Sequence, residues 1–379
     1  MSAVPAHVPL VVQTRGVGSA QSVETVHYGS IAVVDAEGRL LWAAGDAQAK
    51  TFTRSTLKPF QALPFVEEGG PAALGYTEEE VALLCASHSG LDRHVALAAA
   101  MLDHAGCTEA HLQCGCHAPL HYPASQIPTD VTWNQLHNNC SGKHAGFLGW
   151  CRLHGAPLDS YCDETHPLQR AIRARVAQLA GIEDARIAVG IDGCSAPNLA
   201  LPLASIARLY ALLAAPERVA DAAATVGGAS AARVSAATAL ATLADAMARH
   251  PEIVSGPGRG DAALSAAFAP MAATARAAAG AVNAGDATVA APSRLIAKGG
   301  AGGLQLLALR EHGLGIAVRI SDGNNAALMC ATVAVLDVIG ALDADRRAAL
   351  APFGRTPIVN LRGIVTGEMR ALPALARVG

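Results

Sequence analysis

The chain has 379 residues, 51% of them hydrophobic and 16% charged, with a formal net charge of −3. That length supports one domain or two intimately packed ones around a large core, and a mildly acidic chain with no basic block excludes nucleic acid as an expected partner. No apolar run reaches the roughly 18 residues of a membrane span. MSAVPAHVPLVVQTRG at the N-terminus lacks the regions of a signal peptide, and nine cysteines, an odd number in a long chain, read as free thiols of a reducing cytoplasm.

In chain order, residues 8–15 (VPLVVQTR) and 30–35 (SIAVVD) are β-branched runs that predict strands. Residues 39–44 (RLLWAA) follow across Ala36-Glu37-Gly38, so the latter two runs predict a hairpin with Gly38 in its turn. RSTLKPFQ at 54–61 predicts a helix start, because proline is tolerated in the first turn, where its missing N–H has no partner anyway. Ser55 then stands at the positive end of that helix. Thr77-Glu78-Glu79-Glu80 ahead of the apolar VALLCA predicts a capped helix. His94 to Ala105 predicts an amphipathic helix, and the Pro-, Gly-, Cys- and His-rich residues 113–130 a loop. Residues 164–181 and 201–224 are helix-like, and residues 187–191 (IAVGI) predict a short buried strand running into Asp192-Gly193. Residues 262–292 are Ala-rich with few large apolar anchors and read as an insertion that carries no chemistry. Strands at Leu295 to Ala297 and Gly315 to Ile320, then a long apolar helix over 325–341, close the pattern. Strands, then helices, then strands predict an α/β (α+β) chain whose sheet is built from both ends.

Ser55 and Lys58, three residues apart, share a face of a helix. A serine beside a neutral lysine is a compact nucleophile–base unit, provided burial or a second cation lowers the lysine from its ordinary value of about 10.4. S-x-x-K is common by chance, and other segments add to its weight. Cys85-Ala86-Ser87-His88-Ser89-Gly90 gathers hydroxyl and imidazole groups at a helix end. Asn138-Asn139-Cys140-Ser141-Gly142-Lys143-His144 is a dense polar run before an apolar AGFLGW helix. GIDGCSAP at 190–197 ends a strand in a polar turn, and AKGGAGG at 297–303 puts Lys298 before small residues whose bare backbone can lie close to a ligand. Three features read as structural. Ser321-Asp322-Gly323-Asn324 is a strand-end turn, Cys114-x-Cys116-His117 is a loop with spacing too short for a structural zinc, and Ser89 caps the next helix. Cys140 and Cys194 are either buried small hydrophobes or a metal or redox pair.

RSTLKPFQALP, ASHSG, CGCHAPL, NNCSGKHAGFL, GIDGCSAPN and AKGGAGG, in this order, resemble the asparaginase II family, the Rhizobium etli-type group of L-asparaginases. Asn360-Leu361-Arg362-Gly363 and Val365-Thr366-Gly367 also match, so the resemblance runs from about residue 8 nearly to the end. It implies one catalytic domain over 1–379, two subdomains flanking a cleft, and a fold similar to serine β-lactamases and penicillin-binding proteins. It implies Ser55 as nucleophile with Lys58 as base, and Ser87 with Lys298 as a second Ser–Lys couple. Arg54, Lys143 and Asp192 would hold the charged groups of L-asparagine. Cys140, Lys143 and Cys194 resemble a family zinc position, with an open fourth site and no essential part in the chemistry. A cytoplasmic homodimer is also implied.

Two departures stand out. The family usually has a glutamate where this chain has Gly302, and the Ala-rich stretch lengthens the approach to Lys298. The activity expected is conversion of L-asparagine and water to L-aspartate and ammonia. The rival readings are another serine amidase of the same fold, a glutaminase or a β-lactam-processing enzyme, and a zinc-binding protein without catalysis.

Overall fold

A computed structural model describes residues 6–16, 18–219, 233–270 and 291–378. The end of the helix-like run 201–224 and most of the Ala-rich stretch lie outside the described residues. The main sheet runs in the order β10 (Thr356–Val359), β11 (Val365–Ala371), β1 (Val8–Arg15), β2 (Ser22–Asp35), β9 (Leu314–Ile320), β8 (Leu304–Leu309), β7 (Leu295–Gly300). Beside β2 lie β3 (Leu40–Ala44) and the short β12 (Ala376–Arg377), and every pairing is antiparallel. The expected hairpin is β2–β3, with Gly38 at φ 85° and its N–H donating to Asp35. A second sheet of three strands joins β4 (Lys50–Phe52), β6 (Pro197–Pro202) and β5 (Ala188–Ile191).

Period-2 alternation sorts the main sheet between two cores. Ala32, Val34, Leu306, Ala308 and Ala317 face one core. It is shared with α1 (Lys58–Glu67), α3 (Glu78–Leu84), α4 (Asp92–His104), α5 (Ser141–His154), α6 (Pro167–Ala180), α7 (Leu203–Ala214) and α8 (Ala236–Arg249). Their neighbours Ile31, Val33, Leu307, Ile316 and Val318 face the other, against α10 (Gly260–Ala267) and α11 (Asn325–Val338). Short helices α2 (Gly70–Leu74), α9 (Pro251–Val254) and α12 (Ala344–Leu350) complete the described set. The result is a mixed α/β molecule with helices on both faces of an antiparallel sheet built from both chain ends. Among the described residues no helix is long and apolar enough to cross a membrane.

Three expectations are corrected. β5 is not buried: it pairs only with β6 at the edge of the small sheet, and its Ile191 is 84% exposed. The start of the Ala-rich stretch is not an appendage, because α10 drives Leu264 and, just beyond it, Phe268 into the second core. β4, β6, β8, β10, β11 and β12 are absent from the expected elements. LQLLAL is buried on both faces and so lacks the alternation that marks a strand.

Candidate active site

The chain leaves β4 through a sharp turn. Arg54 adopts φ 50°, a left-handed conformation costly for a side-chain-bearing residue. It is held by Asn198 Oδ1, which accepts from the Arg54 N–H at 3.0 Å, and by Thr53, whose hydroxyl donates to Leu199 O at 2.9 Å. A 3₁₀ turn over Arg54–Leu57 then feeds α1, with Pro59 in its first turn as expected. Ser55 sits in that 3₁₀ turn, partly exposed, and its hydroxyl makes no hydrogen bond within the described residues.

The Lys58 backbone N–H donates to Ser55 O, but its side chain does not reach the Ser55 hydroxyl. Its ammonium is buried, and a buried ammonium needs acceptors. It donates to Ala86 O, to Ser87 Oγ at 3.0 Å and to Asn139 O at 3.2 Å. These acceptors come from the segment after α3 and the loop before α5, so tertiary contacts turn the side chain away from its helical neighbour. Ser87 is the junction. Its backbone is fixed by its N–H to Val254 O at 2.8 Å and by Arg259 Nη1, which donates to its carbonyl at 2.9 Å. From β7, Lys298 Nζ donates to Ser87 Oγ at 2.8 Å and to Gly299 O at 3.0 Å. One hydroxyl therefore lies between two lysine nitrogens. Burial holds Lys298 down to about 7; the carboxylate of Asp261 opposes this, and the positive charges of Lys58 and Arg259 reinforce it. That value makes Lys298 a proton acceptor near neutrality.

β7 lies flat on the serine turn. A Cβ on Gly300 would come within 3.0 Å of Thr56 Cγ2 and 3.3 Å of Arg54 Cβ, so the bare backbone there meets protein rather than ligand. At Gly302 the backbone carbonyl takes a hydrogen bond from Arg319, a cation that burial and the nearby Arg54 hold below its ordinary value.

Arg54 Nε stands 2.9 Å from Asp192 Oδ1, an ion pair in which the N–H is not aligned for a hydrogen bond. Asp192 also accepts from Gly193 N at 2.8 Å, and the turn closes with Ser195 at φ 69°. Beyond it, Lys143 Nζ donates to Cys194 Sγ at 3.1 Å, and the Cys140 thiol donates to Asn139 Oδ1 at 3.1 Å. The neighbouring sulfur and burial push Cys140 well up, whereas Cys140 and the Lys143 cation pull Cys194 well down, so the first is held as a thiol and the second as a thiolate. Burial opposes charge on Lys143, but the two sulfurs outweigh it and hold the lysine protonated above its ordinary value. His144 bonds through Nδ1 to Tyr161 OH at 2.7 Å, and burial holds it down to about 4. Among the described residues no three His, Cys, Asp or Glu side chains form a metal-binding group. The juxtaposed donors are two sulfurs and a lysine nitrogen, which suit a soft, tetrahedral divalent ion once the amine is neutral.

The structure thus brings Lys58, Ser87 and Lys298 together, places Arg54 and Asp192 beside Ser55's turn, and clusters Cys140, Lys143 and Cys194. Sequence reasoning missed Arg259 and Asp261. GPGRGD at 256–261 carries both, and an oppositely charged pair set among turn-forming glycines is the available signal.

The buried Ser87 hydroxyl thus lies between two lysines, with the charges of Arg54 and Asp192 beside the turn that carries Ser55. A family model described as L-asparaginase II matches residues 14–289 and 271–371. The chain belongs to the L-asparaginase II family, a family of amidohydrolases. No curated protein matches it. Among solved structures it is similar to a β-lactamase from Mycobacterium bovis at 12% identity and a TM-score of 0.37, over 86% of this chain and 94% of that one.

Proposed function

We propose that the protein hydrolyses L-asparagine to L-aspartate and ammonia through an acyl-enzyme on Ser55. The observation that carries this reading is the Ser87 hydroxyl held between Lys58 at 3.0 Å and Lys298 at 2.8 Å. Ser87 is buried with its oxygen engaged by both lysines, whereas Ser55 is partly exposed and uncommitted, which suits a hydroxyl that must meet substrate. Lys58 is the next turn along from Ser55, and contacts that are loose in an empty site tighten in the Michaelis complex. The proton of Ser55 passes to Lys58, a proton of Lys58 passes through Ser87 Oγ, and Lys298 is the acceptor at the end of the relay. The Ser55 oxygen bonds to the side-chain amide carbon. Reversal of the relay delivers the proton to the departing nitrogen, the C–N bond breaks and ammonia leaves. Water then opens the ester by the same route and frees aspartate. The N–H groups at the start of the serine turn and α1 are available donors for the tetrahedral oxyanion.

Asp192 and Arg54 supply opposite charges for the α-ammonium and α-carboxylate. Cys140, Lys143 and Cys194 would hold Zn²⁺, which supplies a Lewis acid when bound. The relay contains no metal-dependent step, so chelation should leave at least part of the activity. One catalytic domain over 1–379 and a cytoplasmic homodimer remain part of the proposal, the latter checked by light scattering. The test of the mechanism is the adduct. Mass spectrometry of rapidly quenched enzyme should place the aspartyl ester on Ser55. Ser55→Ala should fold and lose kcat by about 10³-fold or more. An adduct on Ser87, with Ser55→Ala still active, would move the nucleophile there.

A further inference from the structure

The geometry points to Asp261 as a positioning residue of the relay: its carboxylate anchors the strand that carries Lys298 and stands as that lysine's counter-charge. This rests on the amidase reading above and extends it to a residue just ahead of the Ala-rich stretch, one that sequence reasoning did not single out. Asp261 lies in the first turn of α10. Its Oδ2 accepts from the Gly299 N–H at 2.9 Å, its Oδ1 accepts from Gln305 Nε2 at 3.1 Å, and the same Oδ2 stands 4.0 Å from Lys298 Nζ. The carboxylate is 11% exposed and the ammonium 0%, so water screens the pair poorly. The Gly299 bond fixes the backbone next to Lys298, and the Gln305 bond ties that carboxylate to the neighbouring strand β8. Together they set the reach of Lys298 Nζ to Ser87 Oγ.

The other groups around Lys298 give Asp261 its importance. Lys58 from α1 and Arg259 from the segment entering α10 both disfavour its charge, and Cys140 ahead of α5 favours it. Cys85 at the end of α3 is a thiol that burial keeps protonated, pushed up to about 12. Asp261 is therefore the carboxylate among these groups. Without it, Lys298 would lose the proton too readily to receive one from the relay.

The test is the pH dependence of kcat/KM for L-asparagine in wild type, Asp261→Asn and Asp261→Glu. Asparagine keeps the volume and the acceptor for Gly299 but removes the charge. Lys298 then becomes a weaker base, so the acid limb should move to lower pH by about one unit or more, as for loss of a neighbouring opposite charge. Glutamate should restore the limb toward its wild-type position. A limb that stays in place while both variants lose height equally means a merely structural carboxylate and overturns the proposal. Should Asp261→Asn not fold, Asp261→Ser, which also removes the charge, carries the same comparison. If the wild type releases no ammonia from L-asparagine, the amidase reading falls instead. The positioning claim is then read without turnover, from the pH titration of Lys298 by ¹⁵Nζ NMR with Lys298→Met as the assignment control. A titration unmoved by Asp261→Asn overturns it; a shift to lower pH supports it.

Discussion

At Lys298 the competition is between burial, which expels a proton, and Asp261, which retains one, and burial wins. Two consequences follow from a value near 7. The proposed relay requires Lys298 neutral, so kcat/KM should rise about tenfold per pH unit below that value and level off above it; a flat profile between pH 5.5 and 8 would remove Lys298 as the acceptor. The second consequence is for stability. The folded value lies below the roughly 10.4 of an unfolded lysine, so between the two the unfolded chain binds more protons and stability rises with pH. The burden of the buried ammonium is full below about 7 and is relieved as pH climbs toward 10. The melting temperature of wild type minus that of Lys298→Met should therefore increase from pH 7 to pH 10, and a difference that declines over that range contradicts the assignment. Which residues meet was only partly legible beforehand. Pro59 announced the helix start and with it the position of Ser55. The direction of Lys58 was not legible, because its acceptors at Ala86, Ser87 and Asn139 are distant in sequence and only the tertiary fold brings them near.

Elements with local chemistry at their ends were the readable ones. Thr77 and Glu80 form the reciprocal capping box that the sequence spells out: the Thr77 N–H donates to Glu80 Oε2 at 2.7 Å, and the Glu80 N–H to Thr77 Oγ1 at 3.3 Å. Thr77→Ala should cost about 1 kcal/mol, the usual worth of such a cap. Gly315 in β9 had no such signal, yet it decides how α7 lies on the sheet. A Cβ there would fall 1.8 Å from Ala207 O and 2.4 Å from Ala211 N, both backbone atoms of α7. Neither can step aside without lifting the helix from β9, so Gly315→Ala should destabilise by about 3 kcal/mol, at the upper end for overpacking. Urea denaturation of the two variants orders them, and a Gly315→Ala protein as stable as Thr77→Ala would mean that α7 rests less tightly than its contacts indicate. A glycine inside an apolar strand announces close approach in general, but its partner is set by packing between residues about a hundred apart.

On the scale of the whole molecule, the sheet draws β1, β2 and β3 from one end of the chain and β7 to β12 from the other. The site sits where α1, the segment after α3, the loop before α5, the turn after β5 and strand β7 converge. Such convergence holds charges in place from several elements, and the proposed preference among amides depends on that. L-asparagine and L-glutamine carry the same α-ammonium and α-carboxylate, so in the proposed binding mode Arg54 and Asp192 cannot tell them apart by charge. The two amides differ by one methylene, which displaces the carbonyl carbon from Ser55 when the α-groups are held. Misplacement by about 1 Å can cost roughly 10²-fold in rate, whereas hydrophobic recognition of a methylene alone gives about 10–200-fold. A kcat/KM ratio of at least about 10² in favour of asparagine is therefore expected. The assay is ammonia release from each amino acid, with a chromogenic β-lactam as third substrate. Comparable rates on glutamine would mean a pocket that lets the α-groups shift, and the protein would be a glutaminase–asparaginase. Turnover of the β-lactam alone would end the asparaginase reading, because a lactam recognised without an α-amino acid makes the Arg54–Asp192 pair irrelevant to binding.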